Sequence, residues 1–169
     1  YPNFSQSPYV SQYTIGKSLN IVKVLHYTGV SPQDGLYQFD DKNKDGSITV
    51  DVSGATNDDR YDLDISPKFY GGFSNTFSYK NFDLSFLFYF KKQIGINAFA
   101  VSSAGGTMQN QPKEVYLNHW QKPGDIAQYA KFTTRPSSNN SYINFFFFSD
   151  GKYTDASFIR LQNLTLSYS

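Results

Sequence analysis

The 169-residue sequence contains no cysteine, which excludes disulfides, thiolate metal sites and cysteine nucleophiles together. It has one Met, one Trp and two His, and only 17% of its residues are charged. The net charge is +1 and the basic residues are scattered, so there is no clustered Lys/Arg surface for a phosphate backbone, and nucleic acid is excluded as a partner. No apolar run reaches the roughly 18 residues of a transmembrane helix, and no charged-then-apolar secretory signal opens the chain. Neither absence weighs against a β-barrel. There, lipid-facing residues alternate with interior ones and keep mean hydropathy low, here -0.49. The chain begins at Tyr1 rather than Met, and we expect a piece of a longer protein.

Aromatic residues are abundant instead: 14 Tyr and 16 Phe, 18% aromatic with Trp. That excess suits strands better than helices and predicts an all-β class. The clearest pattern runs from Lys68 to Phe90. Phe69, Phe73, Phe77 and Tyr79 share one parity, and Phe82, Leu84, Phe86, Phe88 and Phe90 share the other. A two-residue turn at Lys80-Asn81 places both sets on one face of a hairpin over about 69–91. The expected pairs are Tyr79 with Phe82, Phe77 with Leu84, Asn75 with Phe86, Phe73 with Phe88 and Gly71 with Phe90. The opposite face is mostly small or polar. Each arm has the length of a tilted strand crossing a bilayer, about 9–11 residues. Alternation alone leaves two architectures open, a soluble sandwich and a membrane barrel. The density of Phe and the tyrosines at the strand ends favour the barrel.

Elsewhere, residues 1–12 read as an irregular lead-in, and Thr14 to Gly29 as one strand whose parity slips near Ile21-Val22. Two stretches, about 30–67 and 95–154, are turn-rich and read as long loops, which need a functional reason to exist. Within the second, Glu114 to Trp120 predicts a short helix or turn, and Tyr142 to Phe148 an apolar patch. A last strand covers 155–169, with Leu164, Leu166 and Tyr168 alternating against Asn163, Thr165 and Ser167. It stops without a turn, so a ladder partner is expected beyond the chain end.

One segment has metal-ligand spacing. In Asp41-Lys42-Asn43-Lys44-Asp45-Gly46-Ser47-Ile48, oxygen side chains occupy positions 1, 3 and 5 of a calcium loop, with Gly at 6 and an apolar residue at 8. Asp41, Asn43 and Asp45 are therefore candidate ligands of calcium. Position 12, where a bidentate carboxylate closes such a site, is Val52, leaving Asp51, Asp58 or Asp59 to close it. The competing reading is a solvated Asp/Asn/Gly turn. Catalytic signals are weak. His26 and His119 have no nucleophile motif beside them, and nothing singles out Asp62, Asp64 and Glu114 as paired carboxylates. Trp120, Tyr116 and Tyr129 could stack on sugars, but a sequence this aromatic places some rings in loops by chance. We expect no enzyme and no catalytic residue.

Taken with their order and spacing, the segments Pro67-Lys68-Phe69-Tyr70-Gly71-Gly72-Phe73, Trp120-Gln121-Lys122-Pro123-Gly124-Asp125 and Phe158-Ile159-Arg160-Leu161-Gln162-Asn163-Leu164-Thr165-Leu166-Ser167-Tyr168 resemble the SusC/RagA family of TonB-linked outer-membrane proteins. The likeness runs from about Ile15 onward. It corresponds to a stretch toward the C-terminal end of the family barrel, with the plug domain absent. The Asp41 loop departs from the family's Asp-x-Asn-Gly-Asp-Gly, because Lys44 stands at the inner Gly. The resemblance implies an outer-membrane importer of glycans, or in some members peptides, in Bacteroidetes, partnered by a SusD-like lipoprotein and energised by TonB. It implies that the Phe face is lipid-facing. Family barrels have about 22 strands, so these few cannot close a pore by themselves. The alternative is a soluble β-sandwich that binds carbohydrate and holds calcium in the Asp41 loop.

Overall fold

The computed structural model describes residues 3–50, 58–98, 105–107, 111–136 and 139–169. The fold is all-β with antiparallel sheets, and the chain divides into two units. One comprises Tyr1–Asp64 with Ile96–Tyr153, the other Ile65–Gly95 with Thr154–Ser169.

The first unit contains β1 (Ile21–Val24), β2 (Tyr27–Val30), β3 (Tyr37–Phe39) and β4 (Tyr61–Asp64). β1 pairs with β4 and β2 with β3. The single strand expected over Thr14 to Gly29 is thus two strands with different partners. The break falls at Leu25-His26, because Leu25 is fully buried and its backbone turns to another segment. Its N–H donates to Phe148 O at 2.7 Å, and its carbonyl accepts from Asp150 N at 2.9 Å. The two long stretches are likewise not bare loops. The first carries β3 and β4; the second carries α1 (Lys113–Leu117), α2 (Asn140–Ile143) and a π-helical turn over Asn144–Phe148. Their local polarity conceals a core assembled from distant residues: Val30, Tyr37, Ala130, Tyr142 and Phe145, with Tyr27, Phe39, Trp120 and Phe146 against it. Tyr37 stacks on Phe145 at 3.9 Å between centroids, and Tyr27 meets Phe145 edge-on at 5.1 Å.

The second unit is a three-stranded sheet of β5 (Phe69–Tyr79), β6 (Phe82–Lys92) and β9 (Phe158–Tyr168), in the order β5-β6-β9. The short strands β7 (Ile94–Ile96) and β8 (Tyr153–Asp155) pair with each other. The β5-β6 register is the one dictated by the two-residue turn: Tyr79 opposite Phe82, Phe77 opposite Leu84, Asn75 opposite Phe86, Phe73 opposite Phe88, Gly71 opposite Phe90. At the turn Lys80 has a φ of 52°, the left-handed conformation that reverses a tight hairpin. β9 pairs with β6 along its whole length, a partner within the chain that its local pattern does not reveal. Its other edge and the outer edge of β5 are the margins of the sheet.

β9 contains a phase change of its own. Ile159 and Leu161 are odd-numbered, Leu164 and Leu166 even-numbered, and an uninterrupted strand would send the two pairs to opposite faces. The ladder corrects this by shifting register once: Leu161 faces Phe88 and Asn163 faces Leu87, leaving Gln162 as a bulge. All four aliphatic side chains then share the face of the β6 phenylalanines.

Candidate membrane-facing surface

Three strands of 11 residues each build one continuous apolar face. Across it, in Cα register, run the rows Gly71-Phe90-Ile159, Phe73-Phe88-Leu161, Asn75-Phe86-Leu164, Phe77-Leu84-Leu166 and Tyr79-Phe82-Tyr168. The rings interlock laterally: Phe86 lies 6.0 Å from both Phe73 and Phe77 and 5.4 Å from Phe88. Phe82 and Tyr168 meet at 5.0 Å beside the turn, and Phe69 reaches Phe90 at 6.4 Å at the far end. Gly71 has a steric reason to be glycine, since a Cβ there would sit 2.9 Å from the Phe90 ring.

No side chain of the described residues covers this face. Phe73 is 54% exposed, Phe77 56%, Leu164 60% and Leu166 67%. The six aromatics of this face that are at least half exposed, Phe69, Phe73, Phe77, Tyr79, Phe82 and Tyr168, amount to about 600 Å² before the aliphatics are added, at the top of what a soluble monomer shows as its largest patch. A sandwich would lay a second sheet on these rings. The opposite face carries the rows Ser74-Leu87-Asn163, Thr76-Ser85-Thr165 and Ser78-Asp83-Ser167, and Ser78 Oγ donates to Asp83 Oδ1 across the hairpin. The sheet therefore has one apolar face and one with a polar half beside the turn.

Chain direction adds a second asymmetry. One end of the sheet is closed by the Lys80-Asn81 turn, which also receives the end of β9 through Ser169 N to Asn81 O at 3.0 Å. At the other end Phe69 pairs with Lys92 and Lys91 with Phe158, so both long segments enter and leave there.

The Asp41 loop is held by its own polar groups. Asp41 accepts from Lys44 N at 2.7 Å and Gly46 N at 2.8 Å. Asn43 Oδ1 accepts from Asp45 N, and Asp45 Oδ1 from Ser47 N, both at 2.9 Å. Asp59, fully buried, accepts from the backbone N–H groups of Lys42, Asn43 and Thr49 at 3.1, 3.3 and 2.7 Å. Asp58 is engaged by Arg60. Asp51 and Val52 lie outside the described residues. Among the described residues no cluster of three His, Cys, Asp or Glu side chains could hold a metal. These backbone donors hold the turn in the structure.

The remaining candidates have structural work. Trp120 Nε1 donates to Pro32 O at 3.1 Å, and that carbonyl also accepts from Gly124 N at 2.8 Å. Asp125 Oδ2 accepts from Gln121 N and Lys122 N. The Trp120 to Asp125 segment is thus a clamp on the turn after β2. Tyr129 is buried; Tyr116 is exposed and lies beside His119, whose ring stacks on Phe132 at 3.8 Å. His26 Nδ1 bonds Asp150 Oδ2 at 2.7 Å, and this bond, with the charges of Asp150 and Asp40, raises its pKa above the ordinary 6.5. The residues overlooked in the sequence are Ile159, Leu161, Leu164 and Leu166, which complete the apolar face. Their signal was the two-residue gap between Leu161 and Leu164.

No protein-family model matches this chain. Over 99% of its length it is 28% identical to a TonB-dependent receptor, P39, of Formosa agariphila. Its fold is that of part of the RagAB peptide importer solved in an 'open-open' state, with a TM-score of 0.60, 21% identity and 92% of the chain covered. The chain spans 16% of the receptor's length and 17% of the solved importer chain. One is named a receptor and the other an importer, and neither name is that of an enzyme, in line with the weak catalytic signals. In sequence the chain thus aligns with a segment of a TonB-dependent receptor, and in fold with a segment of a peptide importer.

Proposed function

We propose that this chain is a piece of the barrel wall of an outer-membrane TonB-dependent transporter of the SusC/RagA type. Its β5, β6 and β9 cross the membrane with the phenylalanine face in lipid. The carrying observation is that face: continuous over 11-residue strands, exposed, and backed by a polar one. Strands of that length extend about 36 Å, and a barrel tilt near 40° projects this to about 28 Å, close to the apolar thickness of a bilayer. Bacterial barrels join strands by short turns on the periplasmic side and long loops outside. The Lys80-Asn81 turn is then periplasmic, and the segments before β5 and between β6 and β9 are extracellular. The parent protein imports oligosaccharides or peptides with a SusD-like lipoprotein and TonB. The family-like sequence segments and the likeness to a peptide importer support this.

Detergent dependence tests the reading. The protein should keep its strand signal and remain dispersed in detergent micelles or lipid vesicles, and aggregate when detergent is removed. A monomer that unfolds cooperatively in plain buffer would overturn the membrane assignment.

A further inference from the structure

Within the first unit, a cleft of about 560 Å³ opens between the lead-in, β1 and β4. It is lined by Lys17, Lys23, Lys42, Arg60, Asp58 and Asp62, with Tyr61 between them. We infer that this cleft binds the carboxylate of a small acidic solute. The inference rests on the transporter reading for the supply of that solute, and on the side chains for its chemistry.

The charges do not cancel. Arg60 is buried and closes on Asp58 with contacts of 2.8, 3.0 and 2.8 Å, a bidentate pair that forms a neutral floor. Lys42 Nζ is fixed by Arg60 O at 2.7 Å and stands 4.9 Å from the Tyr61 ring centroid, so it is positioned with donor capacity left. Lys23 sits opposite Asp62 in the β1-β4 register, but no ion pair joins them. Lys17, exposed at the rim, makes no ion pair with any described residue. The other nearby carboxylates are committed elsewhere: Asp40 to the Tyr61 hydroxyl, Asp41 and Asp59 to loop backbone. Among the described residues that line the cleft, three ammonium groups therefore face one carboxylate outside any ion pair, Asp62. Lysines bind as compact point charges with rotatable donors, which suits a carboxylate approaching from solvent. The open setting makes the contact salt-sensitive.

The test is calorimetric titration of the detergent-solubilised protein with a galacturonic acid trimer, with triglutamate and with a neutral glucose trimer. At least one acidic trimer should bind and weaken as salt is raised, and which of them binds tells whether the carboxylate arrives on a sugar or on a peptide. Combining Lys17→Ala with Lys23→Ala should weaken binding tenfold or more, and Lys17→Arg with Lys23→Arg should restore it. The inference is overturned if neither acidic trimer binds to folded protein, if the neutral trimer binds as tightly, or if the alanine variant binds unchanged. Failure of the membrane assignment would be seen separately, as folding without detergent.

Discussion

Lys44 has a φ of 60°, a region where a side chain costs on the order of 1 kcal/mol and glycine costs nothing sterically. It stands where the resembling family has glycine, and the backbone gives the reason. Lys44→Gly should therefore stabilise the protein by about 1 kcal/mol, read as a raised thermal midpoint. Gly46→Ala, at a φ of 87° with open space around it, should cost a similar amount through backbone strain alone. At the break between β1 and β2, His26 binds protons more tightly folded than unfolded. Its contribution is complete below about pH 6.5, the unfolded value, and disappears as pH rises through the raised folded value. Histidine proton resonances should show the raised titration, and Asp150→Asn should move it back toward 6.5. An unchanged His26 titration in that variant would show that Asp150 is not the cause.

At the scale of the strand, alternation assigns each neighbour to a different solvent. Phe73→Lys sets a charge near the middle of the apolar face and should cost about 2–4 kcal/mol in lipid. Ser74→Lys, one residue on, points to the polar face and should cost under about 1 kcal/mol. Urea unfolding in vesicles compares the two, and equal losses would contradict the assignment of faces. The Gln162 bulge gives a second contrast. Deleting Gln162 leaves Leu161 and Asn163 opposite Phe88 and Leu87 in an unbroken ladder, with every side chain on its present face. Deleting Thr165 has no bulge to absorb it and reverses the faces beyond. The first variant should keep its strand signal in lipid vesicles; the second should lose it, as read by circular dichroism. The hairpin was legible in the sequence because its period, turn and register are local properties of about twenty residues. The place of β9 was less so, since its pairing with β6 depends on long-range closure and its phase change mimics an irregular strand.

Over the whole chain, legibility followed the same division. The all-β class and the barrel-like face could be read from composition and parity. The first unit's core could not, because Tyr37, Tyr142 and Phe145 come from segments that individually look like loops and meet only in three dimensions. At the Asp41 loop, the spacing of Asp41, Asn43 and Asp45 was legible, whereas the network in which these oxygens and those of Asp59 accept from backbone N–H groups depends on a loop closed over more than ten residues. Gly35 shows how a distant residue fixes a turn, since a Cβ there would lie 2.5 Å from the Trp120 ring. The pairing of Lys91 with Phe158 has a broader implication. The residues that launch and receive the long excursion after β6 are already neighbours in the ladder, so the sheet itself closes that excursion's ends. Whatever is inserted there adds only a slowly growing closure entropy. If the strands stand in a barrel wall as proposed, that wall keeps one set of strands while the insert is lengthened, shortened or exchanged, and selectivity diverges without renegotiating how the strands meet the lipid.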